Sequence, residues 1–280
     1  MPAVAAQKNT KSEIETKKLT ALAVSGSPSE VETKKAKELL TKLSAASDAD
    51  RESIAEELAA FVNANGVHSL KQFGILDAIT KDINNKKNAG ARQSAVAAVV
   101  ALTNNSINGQ AEPYILPFLS SFLDLQADKS AALKTAAADA AKNLALKVNP
   151  NATAVMVPVV LEGLGNSCKW QTKMLSLTLL DELAKKNKTQ FFVVIPDVIP
   201  VVSDCMWDTK VDVKKAATAT MGNICTLIEN KDIERFIPAV IGCINKPENV
   251  PETIHLLGAT TFVQEVDSPT LSIMVPLLNR

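Results

Sequence analysis

The sequence predicts an all-α solenoid, a superhelical stack of antiparallel helix pairs, and three observations support this fold class. The composition is 46% hydrophobic but only 4% aromatic, which suits closely stacked helices better than a pocket of large rings. An internal repeat runs through most of the chain. Apolar side chains also recur every three or four residues, which places one apolar stripe along a helix. This spacing is clearest at Val213, Ala217, Met221, Ile224 and Ile228.

The repeat is marked by a proline that lies between apolar residues. The prolines are separated by 41, 42, 38 and 38 residues. They are Pro117, Pro158, Pro200, Pro238 and Pro276. Proline is tolerated in the first turn of a helix and kinks it later, so each one marks the first helix of a unit. A period near forty residues with two helices per unit is typical of HEAT or armadillo arrays.

The repeat divides the chain into a leader and a repeat domain. Residues 1–33, rich in Lys, Thr, Ser and Ala, are expected to form a flexible N-terminal leader, and residues 34–280 a HEAT-repeat domain. The expected full units are 34–66, 68–106, 111–149, 151–188, 190–230 and 233–265. The first helix of a seventh unit follows from residue 269. Because a solenoid normally ends in a polar capping unit, we expect this chain to be cut from a longer protein.

Charged residues provide a second marker of the repeat. Four bases lie early in the second helices of successive units, namely Arg92, Lys134, Lys173 and Lys214. In two units an aspartate lies six residues before the base, Asp128 before Lys134 and Asp208 before Lys214. Stacking would set these residues in a row, an inter-repeat ladder in which each base pairs with a turn aspartate of its own or the next unit.

Six further lysines lie in or beside the predicted turns: Lys86, Lys87, Lys129, Lys169, Lys210 and Lys215. The functional hypothesis is a basic stripe that contacts nucleic-acid phosphates, and the alternative is a solvated edge that binds nothing. Trp170 and Trp207 also lie at or beside turns of adjacent units. For them, packing between units is favoured over an exposed platform for bases.

The sequence predicts no catalytic residue, no metal site and no cofactor for this chain. Phosphate-binding and dinucleotide-binding glycine motifs are absent, as are the common hydrolase motifs. His68 and His255 are far apart in the sequence, and the four cysteines form no C-x-x-C pair and are expected to be reduced core residues. The start of the chain lacks the apolar block of a signal peptide, and its longest apolar run is too short to span a bilayer. We therefore expect a cytoplasmic protein with no membrane contact.

Four stretches resemble a known family. They are MWDTKVDVKKAATATM at 206–221, NKDIERFIPAVIGCI at 230–244, PETIHLLGATTFVQEV at 251–266 and TLSIMVPLLNR at 270–280. They resemble the N-terminal HEAT domain of the translation elongation factor 3 family, ribosome-associated ABC-type ATPases of fungi. The resemblance covers roughly residues 34–280 and weakens toward the N-terminus, where AEPYILP at 111–117 and the Asn-Lys-Lys of 85–87 match best.

The resemblance implies a protein that binds the 80S ribosome and helps deacylated tRNA leave the E site, using ATP in two C-terminal ABC domains. The HEAT domain would contact ribosomal RNA, small-subunit proteins and its own ABC domains. Because those domains are missing here, no ATPase residue carries over, and ATP is expected only in the full-length protein. The loops around Val67, His68 and Gln110 would face the ATPase body and come near nucleotide there. For His68, a half-buried position at a helix end is the favoured interpretation.

Two function classes follow from these observations. The first is a monomeric ribosome-docking module whose turn lysines contact ribosomal RNA. The second is a HEAT-type adaptor or scaffold, unrelated to translation, that binds a peptide or helix of another protein on its concave face. An enzyme is disfavoured because no constellation of catalytic groups supports it. Binding that weakens with salt favours the first class, and salt-insensitive binding to a protein favours the second.

Overall fold

The computed structural model describes residues 29–278, excluding the side chains of residues 245, 247 and 276–278. Most of the leader predicted for residues 1–33 therefore lies outside the described residues. Its last four residues are helical, because the first helix begins at Glu30. Ser29 caps this helix through its hydroxyl oxygen, which accepts from the N–H of Glu32, and Glu32 accepts in return from the N–H of Ser29.

Within residues 29–278 the chain forms sixteen α-helices and no strand, which confirms the predicted all-α class. The helices are α1 (Glu30–Ser44), α2 (Arg51–Asn65), α3 (Ser69–Gln72), α4 (Ile75–Ile83), α5 (Ala89–Asn105), α6 (Glu112–Ile115), α7 (Phe118–Leu125), α8 (Ala131–Lys147), α9 (Thr153–Glu162), α10 (Trp170–Lys186), α11 (Lys188–Cys205), α12 (Val211–Cys225), α13 (Lys231–Glu234), α14 (Ile237–Asn245), α15 (Val250–Gly258) and α16 (Ser268–Leu278).

These helices form six pairs, followed by α16. The first arm of units 2, 3 and 6 is split into a short and a longer helix, whereas units 1, 4 and 5 have one continuous first helix. In unit 2 the break falls at Gly74, whose positive φ of 65° is a left-handed conformation that favours glycine. The second helices α2, α5, α8, α10 and α12 pack on one another in chain order and form one layer of the solenoid.

The core lies between the two layers of helices and is continuous from unit to unit. The apolar stripe that the sequence predicts in unit 5 is fully buried. Val213, Ala217, Met221 and Ile224 each have 0% exposure. Burial of one large apolar side chain contributes about 1.5–3 kcal/mol, so this stripe accounts for much of the attachment of the second helix of unit 5.

Polar side chains link neighbouring units at both ends of the second helices. Near their N-terminal ends, Arg51 Nε of unit 1 donates to Ser94 Oγ of unit 2 at 3.3 Å. At their C-terminal ends the links are Asn63 Nδ2 to Asn105 O (2.6 Å), Asn143 Nδ2 to Asn104 Oδ1 (2.9 Å) and Asn223 Nδ2 to Asp181 Oδ1 (3.1 Å). At the interface of units 1 and 2, which has a link at each end, the two links set both the position and the angle of one unit on the next.

The regular stack changes at its C-terminal end. The repeat predicts that α16 follows α14 as the first helix of a seventh unit, yet α16 packs more extensively against α11 of unit 5. The segment before it, residues 259–267, folds back over the start of α13. Asp232 Oδ2 accepts from the N–H groups of Val263 and Gln264, both at 2.8 Å. This contact turns the chain so that α16 can reach α11.

No single helix among the described residues is long and apolar enough to cross a membrane. The segments 131–147 and 150–162 reach the required length and composition only together, across a bend of 118°.

We predict that Gly163→Ala lowers the free energy of unfolding by about 1–3 kcal/mol, because overpacking a tight contact has that cost. A Cβ at Gly163 would lie 2.3 Å from Ser176 Oγ and 3.2 Å from Val160 O. The matched control is Gly222→Ala in α12, where nothing lies within 4 Å of the added atom. This control should stabilise the protein by about 0.5–1 kcal/mol through helix propensity. Urea unfolding measures both, and equal effects would contradict the close approach at Gly163.

Candidate nucleic-acid interface

The turns that join the two arms of units 2–5 lie at one edge of the solenoid, which we call the turn ridge. The stacking of α5, α8, α10 and α12 brings their N-terminal ends side by side along this edge. All six turn lysines predicted from the sequence are exposed here. They are Lys86, Lys87, Lys129, Lys169, Lys210 and Lys215.

Arg92 of unit 2 is buried beneath the ridge and joins two successive turns. Its Nη2 lies 3.1 Å from Asp128 Oδ2, in the turn of unit 3. Its Nη1 donates to the carbonyl oxygen of Asn85, in its own turn, at 2.6 Å. Asp128 also accepts from the N–H of Ser130 at 2.9 Å. One buried guanidinium therefore holds the turns of units 2 and 3 together.

Lys173 of unit 4 makes the equivalent contact to unit 5. Its Nζ lies 2.7 Å from Asp208 Oδ2, and the two side chains are 9% and 10% exposed. Asp208 Oδ1 also accepts from the N–H of Lys210 at 2.8 Å. In both ion pairs the base binds the aspartate of the next unit, and the sequence-adjacent pairs Asp128 with Lys134 and Asp208 with Lys214 form no ion pair.

Lys134 and Lys214 have no ion-pair partner within residues 29–278. Asp128 and Asp208 each lie three residues before the second helix of their unit. In the units that follow Lys134 and Lys214 this position is Ser167 and Pro247, so no carboxylate is available there. The junction of units 3 and 4 uses a different link. Lys169 Nζ donates to the carbonyl oxygen of Ala127 at 3.1 Å. The inter-repeat ladder thus alternates between ion pairs and backbone contacts.

These contacts change the protonation of the ladder aspartates. The N–H of Ser130, assisted by the charge of Arg92, holds the pKa of Asp128 below its usual value against the opposing effect of burial. Burial raises the pKa of Asp208, but hydrogen bonds from Lys173 and the N–H of Lys210 outweigh it, so this pKa is also lowered. Both carboxylates are therefore ionised at neutral pH and paired with buried bases.

This pairing determines the charge that faces solvent. Asp128 and Asp208 are paired with Arg92 and Lys173, so buried bases offset most of their negative charge, and of the exposed ridge lysines Lys210 also acts on Asp208. Beside the turns of units 3–5 the exposed carboxylates are Asp124, Glu162, Asp204 and Asp212, and the exposed lysines are Lys129, Lys169, Lys210, Lys214 and Lys215. Lys86 and Lys87 are also exposed, in the turn of unit 2. The ridge is locally basic on a chain whose formal net charge is zero.

Two ridge lysines occupy the N-cap positions of long helices. Lys169 precedes α10 and Lys210 precedes α12, and neither helix has a side-chain cap. By contrast, Asn88 and Ser130 cap α5 and α8 through their side-chain oxygens. Lysine is not among the preferred N-caps, and its charge adds to the positive end of the helix dipole. At these two positions lysine raises the positive electrostatic potential and gives up the stability that a capping side chain would add to the helix.

Both tryptophans lie exposed on the ridge. Trp170 is the first residue of α10 and is 42% exposed, and Trp207 lies in the turn before α12 and is 47% exposed. The sequence favours packing between units for both residues, and in the structure each is partly covered by the protein and partly open to solvent. Their turn position is the signal in the sequence, but it does not distinguish a packed ring from an exposed one.

The structure places Val67, His68 and Gln110 at the opposite edge, in the loops between units. Val67 is half-buried, whereas His68 and Gln110 are exposed. His68 does lie at a helix end, just before α3, but it is not half-buried as the sequence-based interpretation expects. These residues are separated from the turn lysines by the length of the second helices and belong to a different surface.

A groove along the second helices of units 1–3 is a feature that the sequence pattern does not reveal. Its volume is about 890 Å³. Small residues such as Ala97, Val100 and Ala136 lie in it, together with Glu52 and Asp139. Alanines spaced along a helix are ordinary core residues in a sequence pattern, so only the packed structure reveals that some of them face a groove.

In the part of the chain that the structure describes, the remaining titratable groups supply no metal site. Within the described residues no cluster of three or more His, Cys, Asp or Glu side chains could hold a metal ion. Burial raises the pKa of the Cys205 thiol to about 11 and that of Cys225 to about 12, so both stay protonated and behave as small core residues.

Comparison with known proteins gives two family matches. A family model described as "EF3 N-terminal HEAT repeat" matches residues 51–221, and a second, described as "Elongation factor 3/GNC1 HEAT repeat", matches residues 248–280. Both are models of HEAT repeats. The gap between the two matches, residues 222–247, falls where the regular stack of helices changes.

Curated relatives are elongation factors. Elongation factor 3 of Gonapodya prolifera is 45% identical over 245 residues, which are 87% of this chain and 22% of the relative. Elongation factor 3B of Saccharomyces cerevisiae is 42% identical and elongation factor 3 of Candida albicans 40% identical, each over 87% of this chain and 23% of the relative. The chain thus spans between a fifth and a quarter of the length of these relatives. Among solved structures, an engineered protein aligns with this chain over 86% of this chain and 97% of the engineered protein. The TM-score is 0.41 and the sequence identity 13%, so this similarity carries no argument.

We predict that Lys173→Met lowers the free energy of unfolding by about 3–5 kcal/mol, because it leaves a buried carboxylate without its cation. The double variant Lys173→Met with Asp208→Asn removes both charges and should be destabilised much less. Lys214→Met is the matched control, since it occupies the same helix position without an ion pair, and it should change stability by at most about 0.5 kcal/mol. Equal destabilisation in Lys173→Met and Lys214→Met would contradict a stabilising ladder.

Acid sensitivity provides a second prediction. A carboxyl group whose folded pKa lies below its unfolded value, about 3.9 for Asp, adds stability above that value and loses it as the pH falls through the folded pKa. The variant Asp128→Asn with Asp208→Asn should therefore lose stability less steeply than the parent as the pH is lowered below about 5. Thermal unfolding at a series of pH values measures the slope, and parallel curves would show that neither pKa is lowered.

Proposed function

The chain belongs to the elongation factor 3 family of HEAT-repeat proteins, and from that membership we propose that it is a ribosome-docking module of such a factor. The partner surfaces proposed are ribosomal RNA and small-subunit proteins of the 80S ribosome in the cytoplasm. The proposal extends to the whole protein, in which C-terminal ABC domains would bind ATP, contact this module and drive release of E-site tRNA. The module itself would act as a monomer and catalyse no reaction.

The turn ridge is the observation that carries this proposal. It presents exposed lysines from four successive units along one edge, and the turn aspartates that could neutralise them are paired with buried bases. Lysine side chains bind phosphate oxygens without reading sequence, so a row of them positions a protein on an RNA backbone. The backbone beneath is fixed by the ladder, which supports a preformed docking edge.

One further observation supports the ridge as the contact. Lys169 and Lys210 lie at the uncapped starts of α10 and α12, where the helix dipole adds to their charge. The opposite edge, at Val67, His68 and Gln110, is the surface that we propose for the ABC domains and their nucleotide. Separate edges would allow the module to hold the ribosome and the ATPase body at the same time.

The groove along units 1–3 favours a second candidate function. Its apolar floor and carboxylate rim would suit a basic helix of another protein, as in a HEAT-type adaptor unrelated to translation. A groove of small side chains lets a helix backbone approach closely, and its binding would depend on apolar burial more than on salt. This candidate uses a different surface from the turn ridge, so variants can separate the two.

We predict that Lys210→Glu and Lys215→Glu each weaken co-sedimentation of this chain with 80S ribosomes. For each phosphate that the variant no longer binds, the slope of log affinity against log salt should fall by about 0.7–0.9. Lys188→Glu is the matched control, because Lys188 is an exposed lysine at the opposite end of the helices, and it should leave the slope unchanged.

The groove variant Ala136→Arg distinguishes the two candidates. Under the docking proposal it leaves ribosome binding intact. If Lys210→Glu and Lys215→Glu both leave ribosome binding unchanged, the turn ridge is not the ribosome contact. Loss of partner binding in Ala136→Arg alone, with little dependence on salt, would favour the adaptor.

A further inference from the structure

We propose that Trp170 stacks on unpaired RNA bases, so that the turn ridge takes single-stranded or looped RNA and not duplex alone. This inference rests on the proposed function and names the kind of RNA that the ridge binds. It combines three observations: the unusual exposure of the ring, the rigidity of the helix start that carries it, and the charge around it.

The exposure of the ring sets Trp170 apart from nearly every other aromatic residue. The chain has eight Phe, one Tyr and two Trp, all within the described residues. Only Trp170 and Trp207 are exposed, and both lie on the turn ridge. All the Phe side chains and Tyr114 are buried or half-buried. Covering a large apolar ring with a partner removes it from water and lowers the free energy, so an exposed ring indicates a contact surface.

The start of α10 is held in place by two buried contacts. Thr172 Oγ1 donates to the carbonyl oxygen of Leu123 in unit 3 at 3.2 Å. Lys173 forms its ion pair with Asp208 in unit 5 at 2.7 Å. Trp170 lies two and three residues before these anchors, so its backbone is fixed between the neighbouring units. A ring on a fixed backbone loses little conformational entropy when it binds, which favours stacking.

The charge around the ring favours a polyanion over a protein. Lys169 precedes Trp170 and bonds to Ala127 O, and Lys129 is exposed in that neighbouring turn. Aromatic side chains next to lysines are the arrangement by which proteins bind unpaired nucleotides, with the ring under a base and the cations on phosphates. A duplex keeps its bases stacked inside, so it can use the lysines but not the ring.

Tryptophan fluorescence tests the stacking directly, because the chain has only two tryptophans. In the variant Trp207→Phe, all indole emission comes from Trp170. We expect a single-stranded oligo(U) RNA to quench this emission, and an RNA duplex of the same phosphate count to quench it much less. Equal quenching by the single strand and the duplex, or no quenching by the single strand, would overturn the inference. This test leaves Trp170 itself unsubstituted.

Affinity provides the second readout. Trp170→Ala should weaken oligo(U) binding about 5- to 150-fold, the range for removal of one stacked base, and Trp170→Phe should retain part of the affinity. The salt slope should stay unchanged in both, since the same phosphates remain bound, whereas Lys210→Glu lowers it. Thermal melting checks that each variant is folded.

The two proposals fail in different ways. If Lys210→Glu weakens ribosome binding while Trp170→Ala changes neither ribosome nor oligo(U) binding, docking stands and stacking is wrong. If oligo(U) quenches Trp170 but the chain does not co-sediment with ribosomes, stacking stands and the docking function is wrong.

Discussion

A helical pair of this chain cannot bury its apolar stripe alone, and every other feature depends on how the pairs stack to do so. The stripe at Val213, Ala217 and Met221 is removed from water only because α12 is covered by its own first helix and by neighbouring units. Apolar burial is not directional, and it would allow one unit to slide or rotate on the next. The polar links at both ends of the second helices remove that freedom, since a hydrogen bond or ion pair is satisfied in one arrangement only.

The buried bases of the ladder have a second consequence, which concerns charge. Arg92 and Lys173 are costly to bury, and each is compensated by an aspartate from the next unit. This arrangement pairs the turn carboxylates with buried bases and leaves more exposed lysines than exposed carboxylates beside the turns. The stability of the stack and the basic character of the ridge therefore arise from the same contacts. A substitution in the ladder would alter both.

The stacking of second helices is regular in units 1–5 and changes at the C-terminal end of the described chain. Units 1–5 repeat the same stacking of second helices, and the first family match ends within α12, at residue 221. Beyond it α15 is only nine residues long, residues 259–267 fold back onto Asp232, and α16 reaches α11. The second family match begins at residue 248, close to this change. A shorter second helix buries less surface, so the next element can pack against an earlier unit.

The sequence by itself determined the all-α class, the period and the apolar stripes, because these depend on local spacing that packing preserves. It also named the two bases and two aspartates that form the ion pairs of the ladder, since a period of about forty brings equivalent positions together, but it named Lys134 and Lys214 with them. Only the tertiary structure decided that Arg92 and Lys173 reach the next unit's aspartate, that Lys134 and Lys214 have none, and that α16 meets α11. It also decided the exposure of Trp170. These outcomes depend on distances between units, and a single sequence read along its length contains no such distances.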